Sequence, residues 1–394
     1  MIVAGLMTGT SADALDVALV EFRLEGSVDE PHLEMELRSF HEVAFDSDLA
    51  LDILRLLEPE PVPLALVSSV DRRLGQLSAE AVAAICQKTG LDCDLIVSHG
   101  QTIRHDVRDG AVESTLQLGQ PAWIAERLGV PVLSDIRSRD VAAGGQGAPL
   151  AGMLDHLMLV GGEQPRAMLN LGGIANVTIV SPRGETIAFD TGPANALIDV
   201  MARRITGDPR SFDREGAMAA QGHVDEALLA DLLADPYYAR PAPKSTGKEL
   251  FHGPYLDRHL TRHPGLDPYD IIATLTRLTA RTVAQACMPM GVGEVAASGG
   301  GTRNPTLMSE LRDELGAGVP VTTTDEALGL PSEAKEGCLV ALLGWLSWHG
   351  LPATLPSVTG ATHGTLAGRF TPGAKPLRLP EPLRTGPVRL RVAS

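Results

Sequence analysis

The residues best placed for chemistry lie between Ala167 and Val200, AMLNLGGIANVTIVSPRGETIAFDTGPANALIDV. This stretch reads as strand, turn, strand, turn, strand, helix. Met168 to Leu171 stops at Gly172-Gly173, Ile174 to Val180 stops at Ser181-Pro182-Arg183-Gly184, and Thr186 to Phe189 runs into Asp190. Thr191-Gly192-Pro193 and an apolar helix, Ala194 to Ala202, follow. Asp190 therefore stands at a strand end, beside a glycine turn and a helix N-terminus. Glycines let a ligand approach the backbone, and the first helical N–H groups attract negative charge. The plainer alternative is that Asp190 caps the helix or ties the turn. Two more glycine turns of the same kind, one opening the chain and one near Ser298, favour a functional site.

The opening turn joins two strands, IVAGLM and LDVALVEF, and carries Thr8, Thr10 and Ser11 beside Gly9. Hydroxyls and N–H groups in such a turn can form a nest for phosphate oxygens; a polar hairpin is the alternative. The third turn, Ser298-Gly299-Gly300-Gly301-Thr302, lies between the strand Glu294 to Ala297 and the helix Pro305 to Leu315. It builds a ligand seat, but not with the G-x-G-x-x-G spacing of a dinucleotide fold. Lys244 to Lys248 imitates a phosphate loop and fails, with Ala242 where Gly is required and Glu249 in place of a hydroxyl residue. A short strand ends in Ser98-His99-Gly100-Gln101-Thr102, a loop suited to a polar ligand; His99, His105 and Asp106 lack metal-site spacing. Asp135, Arg137, Arg139 and Asp140 precede a bend at Gly144 to Gly147, which suits a cleft or hinge, with a solvated loop as the alternative.

The elements needed to position these turns alternate. A third strand (33–45), helices at 48–57 and 62–88, and strands and helices through 94–133 continue the α/β pattern, which resumes after Asp190 to the long apolar helix 332–348. Aromatic residues make up only 4% of the 394, so Leu, Val and Ala must fill the core. A net charge of −16 argues against non-specific nucleic-acid or anionic-membrane binding. Cys86, Cys93, Cys287 and Cys338 show no C-x-x-C pairing, and no apolar run reaches membrane-spanning length. A reducing, cytoplasmic setting is expected.

Ten motifs occur in order: GLMTGTSADALDVAL, SHGQTIRH, LQLGQPAWIAE, SDIRSRDVAAGGQGAPL, LNLGGIANVT, FDTGPANALID, SFDREGAMAAQG, PKSTGKELF, ASGGGTRNPTLM and TGATHG. Together they resemble the anhydro-N-acetylmuramic acid kinase family over nearly the whole chain. The resemblance implies an actin-like and sugar-kinase fold, in which two ribonuclease-H-like α/β domains flank a nucleotide cleft and close on ATP and sugar. It implies ATP with Mg²⁺, cleavage of a 1,6-anhydro ring by water, and phosphorylation of the sugar's 6-oxygen. We expect domains at 1–135, on which the C-terminal tail can pack back, and 136–394, with hinges near Gly144 to Gly147 and in the tail. The expected partners are the anhydro sugar, ATP and a second copy in a homodimer.

By the same resemblance Asp190 is the catalytic aspartate that activates water. Arg137 reads the sugar, with Asp135, His99, Gly100 and Gln101 in the substrate site. The nucleotide falls to Gly9, Thr10, Ser11, Ala12, Asp13, Ala14, Leu15 and Asp16, to Gly172, Gly173 and Asn195, and to Gly299, Gly300 and Gly301. The direct metal ligands are not identified. The family usually reads S-G-T-S-L-D-G-V-D in the first loop, where this chain has Thr8, Ala12, Ala14 and Leu15, and G-P-G-N where it has Ala194. Alanine for glycine restricts φ at two places. The family includes a kinase of levoglucosan, which stands as the alternative substrate. A non-catalytic nucleotide-binding protein is opposed by the retention of Asp190, Arg137 and the hydroxyl loop.

Overall fold

The computed structural model describes residues 1–9, 12–58, 60–108, 110–247 and 250–393. Thr10 and Ser11 of the opening turn, and Lys248, lie outside the described residues. The chain forms two compact units, Met1–Met158 with Gly329–Ser394, and Leu159–Leu328.

The first unit opens with β1 (Ile2–Thr8), β2 (Ala14–Gly26) and β3 (Pro31–Ala44), then α1 (Ser47–Leu57), α2 (Leu64–Thr89) and β4 (Leu95–Ser98). A hairpin of β5 (Gln101–Arg108) and β6 (Ala111–Leu118) follows, then α3 (Pro121–Leu128), β7 (Val132–Ser134), α4 (Ser138–Ala142) and α5 (Gly152–Leu159). The second unit contains β8 (Arg166–Leu171), β9 (Ile174–Val180), β10 (Thr186–Pro193), α6 (Asn195–Thr206), α7 (Glu226–Leu233), α8 (Gly253–Leu260) and α9 (Pro268–Cys287). It ends with β11 (Glu294–Ser298), α10 (Pro305–Leu315), β12 (Val321–Thr323) and α11 (Thr324–Leu328). The first unit is completed by α12 (Lys335–Trp348), α13 (Pro356–Thr359), β13 (Arg369–Thr371) and β14 (Arg389–Val392).

Both units carry the same sheet. The orders are β3-β2-β1-β4-β7 and β10-β9-β8-β11-β12, with β13 and β14 added at the two edges of the first. In each, three strands form an antiparallel meander, and the first of them pairs parallel with the fourth and the fourth with the fifth. This is the repeated ribonuclease-H-like arrangement of an α/β protein.

In the first unit Ala4 and Leu6 of β1 join α1, α2 and α3 in one core, through Leu49, Ile53, Leu56, Val70, Leu74 and Ile124. The other face is covered by α12. Every residue from Gly337 to Ser347 is buried, which explains why this helix is apolar all round. Glycines set its approach. A Cβ on Gly5 would stand 2.0 Å from the Gly337 carbonyl oxygen, and one on Gly344 would stand 2.0 Å from Val97 Cγ2. Such contacts leave no room for a side chain, so α12 meets β1 backbone to backbone at Gly5 and seats the Val97 side chain of β4 against Gly344.

In the second unit α9 joins two cores. Its N-terminal half packs Ile272, Leu275 and Leu278 among α6, α7 and α8, and its C-terminal half packs Val283 and Cys287 on the sheet.

The unit boundaries differ from the expected 1–135 and 136–394. They fall after Met158 and Leu328, and the C-terminal segment belongs with the first unit because α12 forms half of that unit's sandwich. The expected hinge at Gly144 to Gly147 is a stapled bend. Asp140, fully buried, accepts from Gly147 N at 2.8 Å and from Thr359 Oγ1 at 2.7 Å, and Gln146 N donates to Thr359 O at 2.8 Å.

Candidate active site

Parallel strands in register end together, and their following turns leave the same end of the sheet. In the second unit Asp190 faces Asn176, Asn176 faces Asn170, and Asn170 faces Ser298 across four strands. A polar row therefore crosses the sheet end, directly before the two glycine turns.

Asp190 is gripped at two points. Asn176 Nδ2 donates to Oδ1 at 2.9 Å, and the Thr246 backbone N–H donates to Oδ2 at 2.9 Å. Its own N–H donates to Lys244 O at 2.9 Å, and Tyr237 Oη donates to its carbonyl at 2.6 Å. A register shift between Asp190 and Gly192 interrupts the ladder at this point. Helix α6 is capped at Ala194 without any side-chain bond, so Asp190 is not its cap. The Pro-rich segment that imitates a phosphate loop instead forms the clamp on Asp190. Lys244 Nζ is spent on the carbonyls of Tyr237 and Tyr238, at 3.2 and 3.0 Å. Asn170 and Asn176 were not singled out from the sequence, although an asparagine inside each of two apolar strands was the available signal.

The glycine turns divide into scaffold and lining. The N–H groups of Ala194 and Ala196 donate to Gly173 O, and that of Asn195 to Gly172 O. Asn195 Nδ2 donates to the carbonyls of Leu171 and Gly172 at 3.1 and 2.8 Å. These first helical N–H groups, expected to face an anion, are thus occupied by the Gly172-Gly173 turn. Gly299 sits at φ +86°, and a Cβ on Gly301 would stand 2.6 Å from Leu171 Cβ, so both serve close packing against β8. Gly300 has open space around it and lines a cavity of about 620 Å³ with Asn195.

That cavity also takes in Phe212, Arg214, Glu215 and Arg303. The Ser211–Gly216 loop, read from sequence only as charged, is held against the N-terminus of α10. Thr306 Oγ1 donates to Gly216 O at 3.0 Å, and Asp213 accepts from the N–H groups of Met218 and Ala219. Glu215 lies at φ +56°, an uncommon conformation for a non-glycine residue. Phe212 is 50% exposed, with the Arg214 guanidinium 5.2 Å from its ring centre. An aromatic face beside guanidiniums suits a base and its phosphates.

In the first unit Leu6 pairs with Ser98 and Ser98 with Ser134, so β1, β4 and β7 also end together. Arg137, just beyond β7, is half-buried. Its Nε donates to His99 Nε2 at 2.9 Å and its Nη1 to Gly147 O at 2.6 Å. Burial lowers its pKa to about 10, so it stays cationic at neutral pH. His99 is corrected from ligand contact to support: it is 2% exposed, its Nδ1 meets Gly100 O at 2.6 Å, and both ring nitrogens are occupied. Gly100, at φ +72°, turns the chain, and its carbonyl also accepts from Thr8 Oγ1 at 2.9 Å. Gln101 is buried, with Oε1 unpartnered among the described residues, as is Ser134 Oγ. Asp135, at φ +59°, is half-buried and accepts from Ser138 Oγ.

In the first loop the side chains of Ala12 and Leu15 pack in the core, which leaves only their backbone to face a ligand. The Gly9 carbonyl accepts from Ala12 N at 3.3 Å. Asp16 is the chemically distinctive member. Burial, then Glu42, Glu336 and Asp13, raise its pKa to about 6. Glu42 stands directly opposite it on β3. Among the described residues no three His, Cys, Asp or Glu side chains form a ready-made metal cage.

A family model described as anhydro-N-acetylmuramic acid kinase matches residues 1–373. The chain belongs to the anhydro-N-acetylmuramic acid kinase family. It is 52% identical to the anhydro-N-acetylmuramic acid kinase of Streptomyces coelicolor over 393 residues, covering 100% of this chain and 99% of that protein. It is 45% identical to that of Rhodococcus erythropolis, again over 100% and 99% of the two chains, and 42% identical to that of Gloeobacter violaceus over 93% and 98%. Of the alanines at two usual family glycines, Ala14 lies in β2 and is not among the residues of positive φ, whereas Ala194, at φ −111° and ψ −105°, stands outside the favoured α and β regions.

Two outcomes follow for this family member. Base–aromatic stacking contributes about 1–3 kcal/mol, so Phe212→Ala should weaken ATP binding about 5- to 150-fold by calorimetry; unchanged affinity would place the base elsewhere. Asp16, with its pKa raised in the folded state, binds its proton more tightly there than in the unfolded chain. Stability is therefore lost as pH rises from about 4 through about 6. Asp16→Asn should raise the melting temperature relative to the parent near pH 8 and lose that advantage near pH 4; an equal difference at both would rule out the linkage.

Proposed function

We propose that this protein opens the 1,6-anhydro ring of anhydro-N-acetylmuramic acid with water and phosphorylates its 6-oxygen from ATP. The product is N-acetylmuramic acid 6-phosphate, in cell-wall sugar recycling. Full-length membership of the kinase family supports the activity. The single observation that carries the chemistry is the two-point grip on Asp190. Each carboxylate oxygen accepts one of those two bonds, and a carboxylate held in place in this way fits a positioned general base.

The reaction resembles inverting glycoside hydrolysis. A water oxygen bonds to the anomeric carbon while its proton passes to Asp190, and the bond from that carbon to O6 breaks. The O6 oxyanion takes the γ-phosphoryl group, and the electron pair of the broken P–O bond leaves with ADP. The leaving oxygen thus needs no separate acid. The cavity at Asn195, Phe212, Gly300 and Arg303 serves the nucleotide. Arg137 reads the lactyl carboxylate of the muramate, which levoglucosan lacks, and this favours the muramate as substrate.

Mg²⁺ is part of the proposal. The crowded carboxyl of Asp16, beside Asp13 and Glu336, is a donor set that a divalent cation relieves. Mg²⁺ typically uses one or two carboxylates plus phosphates rather than a full protein cage. Asp16 and Asp13 would hold it, and it would neutralise the β and γ oxygens of ATP. A cytoplasmic setting and a homodimer complete the reading. Four free cysteines support a reducing compartment, and among the described residues no helix is long and apolar enough to cross a membrane.

Loss of a general base typically costs 10²–10⁴-fold, so Asp190→Asn should lose about that much kcat. Calorimetry should find its ATP affinity within about threefold of the parent. Activity near the parent's would remove Asp190 from the base role.

A further inference from the structure

Arg137 is held from two sides, and both acceptors are neutral. His99 Nε2 takes the Nε proton at 2.9 Å, and the Gly147 carbonyl takes one from Nη1 at 2.6 Å. The histidine tautomer follows from its neighbours. Gly100 O, 2.6 Å from Nδ1, can only accept, so Nδ1 carries the proton and Nε2 is free to accept from arginine. Burial, and then the charge of Arg137, lower the His99 pKa to about 3, which keeps the ring neutral at working pH. The Gly147 side is equally fixed, since its N–H is bound by fully buried Asp140, which is itself tied to Thr359. Arg137 Nη2 has no protein acceptor among the described residues. The charged group acting on the guanidinium is Glu336, which raises its pKa without a hydrogen bond.

A carboxylate in the place of His99 would orient the arginine equally well but would cancel its charge before any ligand arrived. An imidazole orients and leaves the charge for the ligand. We propose that His99 is a positioning residue that sets the preference for a carboxylate-bearing sugar, by aiming Arg137 without neutralising it. The proposal rests on the reading of Arg137 as the group that binds the sugar carboxylate. It moves His99 from contact with the sugar to a role exercised through Arg137.

The test is a double-mutant cycle on the full-length protein, with anhydro-N-acetylmuramic acid varied at saturating ATP. Hydrogen bonds to charged groups are worth enough that Arg137→Ala should raise KM about 10- to 100-fold. His99→Leu, which removes the acceptor, should raise KM by about 5- to 50-fold with kcat within about threefold. The double variant should be no worse than Arg137→Ala alone, and His99→Asn, which restores an acceptor oxygen, should recover part of the loss. If the leucine variant does not fold, as judged by its melting curve, His99→Phe replaces it with a ring of similar size and no acceptor. Additive effects on KM, or a fall in kcat at unchanged KM, would overturn the role of His99 while leaving that of Arg137 intact. An unchanged KM in Arg137→Ala would instead refute the carboxylate reading itself, and the proposal with it.

Discussion

A carboxylate proposed to take a proton from water has to be held in one orientation by donors. Asp190 meets this constraint through one side-chain amide and one backbone N–H, one on each oxygen. Much of the second unit serves that geometry. The β9–β10 pairing brings Asn176 opposite Asp190, and the register shift before Gly192 breaks the ladder there. The Tyr237–Thr246 segment clamps the backbone on both sides of the residue. The aromatic cluster of Tyr237, Tyr238, Phe251 and Tyr255 gives that clamp a packed base.

The first unit solves a related problem for a cation on the same sheet pattern. β1, β4 and β7 end in register; the turns beyond β4 and β7 hold His99 and Arg137, and Asp16 lies near the start of β2, just after the β1–β2 turn. Arg137 is oriented by neutral acceptors, whereas Asp16 is crowded by other acids. A cation oriented by neutral acceptors and a carboxyl crowded by other acids both carry an electrostatic cost within the fold. Such local cost fits the charged ligands proposed for this site.

Much of this was legible in the sequence because apolar runs broken by glycine mark short buried strands. The three strands around Asp190, the strand before Gly299 and the helix after Asn304 lie within a few residues of their expected places. The β5–β6 hairpin was not legible in full. It stands outside the main sheet with polar residues on both faces, so no apolar run announces it. Periodicity showed that α12 is buried but not what buries it, since the partner glycine, Gly5, lies more than 300 residues away in sequence. Residue type alone also could not separate ligand contacts from supports. His99 and Gly301 look like ligand residues, yet His99 holds an arginine and Gly301 makes room for Leu171.

The central claim is that Asp190 directs water to the sugar rather than to ATP. Turnover in heavy-oxygen water, with mass spectrometry of the product, tests this most directly. The account predicts one heavy oxygen on the anomeric carbon of the sugar phosphate and none in the transferred phosphoryl group. Heavy oxygen in the phosphoryl group would show that water attacks ATP instead, and would contradict the role given to Asp190.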